Sequence, residues 1–103
     1  MNITDIRIRK LMNEGRLRAV ISITIDDAIA IHDIKVIEGP NRLFVAMPSR
    51  REENGTFRDV VHPISAGARE YMENTILEAY QKERELQQEL LEDVENSVQP
   101  EAV

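Results

Sequence analysis

Leu17-Arg18-Ala19-Val20-Ile21-Ser22-Ile23-Thr24-Ile25 decides the fold. Leu17, Ala19, Ile21, Ile23 and Ile25 alternate with Arg18, Val20, Ser22 and Thr24, the period-two pattern of a strand with one face buried. Its β-branched content suits a pleated surface. Upstream, Ile6 and Ile8 alternate with Arg7 and Arg9, and Asn13-Glu14-Gly15 supplies a turn in which Gly15 can take positive φ. A hairpin centred between Asn13 and Glu14 sets Ile8 opposite Ala19 and Ile6 opposite Ile21, keeping apolar residues together. The same register sets Arg9 opposite Arg18.

Downstream, Ile29 and Ile31 open a third strand, but the next apolar positions, Ile34 and Val36, are out of phase. One extra residue near His32-Asp33 restores the pattern, which predicts a β-bulge there. Glu38-Gly39-Pro40-Asn41 reads as a turn, and Leu43 to Met47 as a strand covered on both faces and ended by Pro48. Glu53-Asn54-Gly55 marks another turn, and Thr56 to Val61 a last short strand before Pro63. Ser65 is placed to cap a helix over 66–94, with Tyr71, Met72, Ile76, Ala79 and Tyr80 as its apolar stripe. The stripe thins to Leu86, Leu90, Leu91 and Val94 among Glu and Gln, so the first turns should pack and the rest project. The expected fold is α+β: an antiparallel meander of about five strands over residues 3–64, then a long helix. Residues 1–94 form one domain in this reading, and 95–103 a disordered acidic tail.

With 103 residues and no Cys, the chain fits one modest core without disulfides or thiolate metal sites. Met1-Asn2-Ile3-Thr4-Asp5 has neither region of a signal peptide, and no apolar run nears the roughly 18 residues of a membrane span. A cytoplasmic protein without membrane contact is expected. The net charge of −6 hides a polarity, since residues 1–69 carry 11 Lys/Arg against 9 Asp/Glu. Residues 70–103 carry 2 against 10. A mildly basic body therefore precedes an acidic helix, and local potential matters more to a polyanion than net charge.

Two arginine groups follow from this organisation. Arg7, Arg9, Arg16 and Arg18 gather on the polar face of the first hairpin, where like charges tolerate each other only with acids or phosphates nearby. Arg50, Arg51 and Arg58 flank the turn in Met47-Pro48-Ser49-Arg50-Arg51-Glu52-Glu53-Asn54-Gly55-Thr56-Phe57-Arg58-Asp59, with Asp59 placed to orient Arg58. Arginine's planar fork suits phosphate oxygens and guanine edges. Each group also reads as a solvated face balanced by acids such as Asp5, Glu14, Glu52 and Glu53. His32-Asp33 and His62 form no metal-ligand spacing, and no nucleophile elbow or Gly-rich phosphate loop exists, so no enzyme, metal, cofactor or small-molecule substrate is expected.

The chain resembles the stage V sporulation protein G family. The likeness runs through Thr4-Asp5-Ile6-Arg7, Arg16-Leu17-Arg18-Ala19, Ser22-Ile23-Thr24-Ile25-Asp26 and Ile31-His32-Asp33-Ile34-Lys35-Val36-Ile37. It continues through Leu43-Phe44-Val45-Ala46-Met47-Pro48-Ser49, Gly55-Thr56-Phe57-Arg58-Asp59 and Pro63-Ile64. The resemblance implies a small dimeric bacterial regulator of septation and sporulation that binds DNA and, in some members, RNA. The family's basic pair falls on Arg50 and Arg51. A protein-interaction adaptor of the septation apparatus, with structural arginines, is the alternative expectation.

Overall fold

The computed structural model describes residues 1–97. Four strands, β1 (Ile3–Leu11), β2 (Leu17–Ile25), β3 (Ile29–Glu38) and β4 (Leu43–Ala46), form one antiparallel sheet in chain order. β5 (Ser49–Arg51) and β6 (Phe57–Asp59) form a separate two-stranded ribbon, and α1 (Ala66–Ser97) follows. The α+β class and the meander hold, but the single sheet of about five strands does not. Pro48 has no N–H to donate and ends the β4 ladder. Its carbonyl instead accepts from Val60 N at 2.8 Å, closing the ribbon's base. The last strand therefore pairs with Ser49–Arg51 rather than with the sheet.

The first hairpin is shifted two residues from the expected register. Ile8 stands opposite Ile21 and Ile6 opposite Ile23, while Leu11 faces Ala19. Gly15, at φ 82°, lies inside a five-residue loop between β1 and β2 rather than in a tight turn. A two-residue slip leaves every side chain on its own face, so apolar alternation is blind to it. The expected bulge on β3 is present: Ile21 pairs with Ile34 and Ile23 with Ile31, and Asp33 takes φ 63°. Asp26 and Asp27 also take positive φ, making the β2–β3 turn with Ala28 N bonded to the Ile25 carbonyl at 2.9 Å. Short polar side chains adopt that conformation at least cost after glycine.

Ala19, Ile21, Ile23, Ile34 and Val36 form the buried face of the sheet, and Met72, Ile76 and Tyr80 of α1 close over it. The helix starts as expected, with Ser65 Oγ accepting from Ala68 N at 3.1 Å. It runs to Ser97 rather than Val94, and residues 98–103 of the expected tail lie outside the described residues. Leu86, Leu90 and Leu91 are exposed, as the thinning stripe implied. β4 is not covered on both faces: Val45 and Met47 are buried, but Leu43, Phe44 and Ala46 are half-buried. β4 is an edge strand, and only its inner face meets the helix layer.

The β3–β4 turn depends on a close approach at Gly39. A Cβ there would sit 2.9 Å from the Arg42 carbonyl oxygen and 3.1 Å from the Phe44 ring. Gly39→Ala is expected to cost about 1–3 kcal/mol, read as a fall in melting temperature, because backbone and ring must both give way. An unchanged melt would show that the turn relaxes freely.

Candidate nucleic-acid interface

The ribbon organises the second arginine group. Its turn is closed by Glu52 N to Thr56 O at 2.8 Å and Gly55 N to Glu52 O at 2.9 Å, with Gly55 at φ 87°. Asn54 Oδ1 accepts from Thr56 N at 3.1 Å and from Thr56 Oγ1 at 2.6 Å. These bonds fix a turn that the Glu53-Asn54-Gly55 signal anticipates. In the ladder, Arg50 stands opposite Arg58, Arg51 opposite Phe57 and Ser49 opposite Asp59.

Opposed residues share a face and neighbours along a strand alternate, so the ribbon has two unlike sides. One carries Arg50 and Arg58. The other carries Ser49, Arg51, Phe57 and Asp59. Asp59 therefore does not orient Arg58, because it lies on the opposite face; Arg58 Nε instead pairs with Glu52 Oε1 at 3.3 Å. Arg50 and Arg51 are exposed, and neither has a carboxylate within 4.0 Å among the described residues. The ribbon is formally neutral, three arginines against Glu52, Glu53 and Asp59, so any pull on a polyanion comes from where the charges sit.

The structure separates the first arginine group. Arg7 Nε pairs with Asp5 at 3.2 Å, and Arg9 Nε donates to Ser22 Oγ at 3.3 Å. Arg18 pairs with Glu38 and donates to the Asn13 carbonyl at 3.3 Å, while Arg16 Nε donates to the Glu38 carbonyl at 3.4 Å. Arg9 and Arg18 are not cross-strand neighbours, because the register is shifted and Arg9 occupies a β1 irregularity between Ile8 and Lys10. Arg16 and Arg18 thus tie β2 to the end of β3, a structural use of their charge.

Sequence reading missed Lys10 and Lys35. Lys10 pairs with Val20, Val20 with Lys35, and Lys35 with Ala46, one row across the sheet. Val20 alternates with the buried Ala19 and Ile21, so this row lies on the face away from α1. Neither lysine has a carboxylate within 4.0 Å among the described residues. Only the true register reveals this pairing. On the same face, Ser22 Oγ also meets His32 Nδ1 at 2.9 Å. His62 Nδ1 donates to the Pro63 carbonyl at 3.0 Å, a local bond that fixes the chain leaving the ribbon. Among the described residues no cluster of His, Asp and Glu has the geometry of a metal site.

The SpoVG family model matches residues 1–82, which span the sheet, the ribbon and the packed part of α1. A relative from Agathobacter rectalis, named "Putative septation protein SpoVG", is 58% identical over 85 residues, covering 82% of this chain and 98% of its own. A protein of the same name from Desulforudis audaxviator is 57% identical over 81 residues, covering 79% and 92%. Another, from Clostridium perfringens, is 50% identical over 86 residues, covering 84% and 96%. The chain belongs to the SpoVG family. The family match ends before Leu86, so the exposed leucines of the distal helix fall outside it.

Proposed function

We propose that this SpoVG-family chain is a non-enzymatic regulator of septation and sporulation that binds nucleic acid, DNA or RNA, as a cytoplasmic homodimer. The observation that carries the binding claim is the pair Arg50 and Arg51, exposed on a ribbon closed by its own hydrogen bonds and left without carboxylate partners among the described residues. The ribbon's hydrogen bonds fix the backbone that carries both arginines, and the planar guanidinium fork matches phosphate geometry. The names of the relatives support the septation role. Among the described residues no helix is long and apolar enough to cross a membrane.

Binding to random DNA and RNA pools, at low and high salt, tests the reading. Retention that falls steeply with salt on either pool is the expected result; a protein that retains neither pool at low salt contradicts it. The adaptor alternative, docking through apolar surface, predicts association with a protein partner that salt barely weakens.

The homodimer reading rests on β4, whose outer face is half-buried and whose edge is unpaired among the described residues. Light scattering should give twice the chain mass of 11.8 kDa, and a monomer at micromolar concentration would remove it. A further expectation concerns the acidic arm. The buried helix residues Met72, Ile76 and Tyr80 lie well before Glu92, so deleting 92–103 should leave the melt nearly unchanged. It should also tighten nucleic-acid binding several-fold at low salt by removing competing negative charge. Titration of the truncated and full chains on the same oligonucleotide checks this.

A further inference from the structure

Phe57 is the unexplained residue of the ribbon. It is 71% exposed on β6, opposite Arg51 and on the face away from Arg50 and Arg58. Asp59 follows Phe57 by two residues on β6 and so shares its face, with Arg51 opposite the ring. The Asp59 carboxylate makes no hydrogen bond or ion pair among the described residues.

An exposed ring beside an unneutralised arginine offers an unpaired nucleobase both things it requires: a surface to stack on and positive charge for the adjoining phosphate. Bases inside a duplex are already stacked on each other and cannot cover the ring. Asp59 adds a selection. A carboxylate repels phosphate, so its place on this face suits a ligand that also donates to it. Adenine and cytosine carry an exocyclic amino donor and guanine an amino group beside its N1–H, whereas the single N3–H donor of uracil and thymine lies between two carbonyls that a carboxylate repels. We propose that the Arg51–Phe57–Asp59 face of the ribbon holds an unpaired, amino-bearing base of a single-stranded nucleic acid, stacked on Phe57 with its amino group on Asp59. This rests on the nucleic-acid reading above and adds a strandedness and a base preference to it.

Fluorescence anisotropy on short single strands, both DNA and RNA, and on the matched duplex tests it. Phe57→Leu should weaken single-strand binding by about ten-fold or more, and Phe57→Tyr should retain it, because base–aromatic stacking is worth that much per base. Duplex affinity should change by less than about two-fold in either variant, since phosphate contacts there do not use the ring. Asp59→Ala should erase the preference for A- or C-rich strands over U- or T-rich ones. Equal losses on single strands and duplex, or no loss on either, overturn the proposal while leaving the nucleic-acid reading intact. Loss of dimer mass in Phe57→Leu also overturns it, because the ring then belongs to an interface between copies. Wild-type protein that binds no strand of either kind overturns the nucleic-acid reading and this proposal together. Whether DNA or RNA binds more tightly identifies the source of the base, and either result supports the proposal.

Discussion

Ile76→Ala is expected to lower stability by about 2–5 kcal/mol, the usual cost of emptying a buried aliphatic site that cannot collapse. Ile76 is fully buried, one turn from Met72 and one turn from Tyr80, so it is the centre of the helix's grip on the sheet. Small domains hold only about 5–15 kcal/mol in total. At about 4–8 °C per kcal/mol for a chain of this size, the melting temperature should fall by roughly 8–40 °C. Leu90→Ala is the control. Its side chain is 55% exposed, and its melt should barely move. Equal effects at the two positions would mean that the helix docks along its distal part as well, contrary to the burial pattern.

The second large effect is on binding. Replacing both Arg50 and Arg51 with Ala should weaken nucleic-acid affinity at low salt by at least about ten-fold, since hydrogen bonds to charged groups contribute about 1.5–3 kcal/mol each. Stability should not fall with it. Exposed arginines without ion partners contribute little to folding. Removing Arg50 also relieves its like-charge pairing with Arg58, which favours the folded ribbon slightly. Melting and binding measured on the same double variant separate a contact role from a structural one. A destabilised protein with unchanged affinity would assign these arginines to the fold.

The sheet, the helix and the β3 bulge were legible because each rests on local periodicity. Ile31 and Ile34 cannot both face the core unless one residue is extra, and the structure places it between them. The first hairpin's register was not legible, since a slip by two residues preserves every apolar contact type; only the loop holding Gly15 decides it. That slip had consequences for charge. It separated Arg9 from Arg18, and the irregularity between Ile8 and Lys10 then brought Lys10 onto one row with Lys35, a juxtaposition no linear spacing shows. The arginine ribbon was half legible: the turn and the cations were evident, but their division between two faces depended on a ladder between Ser49–Arg51 and Phe57–Asp59. Reading Thr56 to Val61 as part of the sheet hid that division and gave Arg58 the wrong acidic partner.

If the ribbon binds polyanion through Arg50 and Arg51, the salt dependence of its affinity reports those two contacts. Affinity for a duplex should be followed across a salt series for the wild type and the Arg50→Ala/Arg51→Ala variant. Each lost phosphate contact flattens the plot of log affinity against log salt by about 0.9, so the double variant should be shallower by about 1.8 if both arginines contact phosphate. Parallel plots, with the variant's slope equal to the wild type's, would take Arg50 and Arg51 out of the interface.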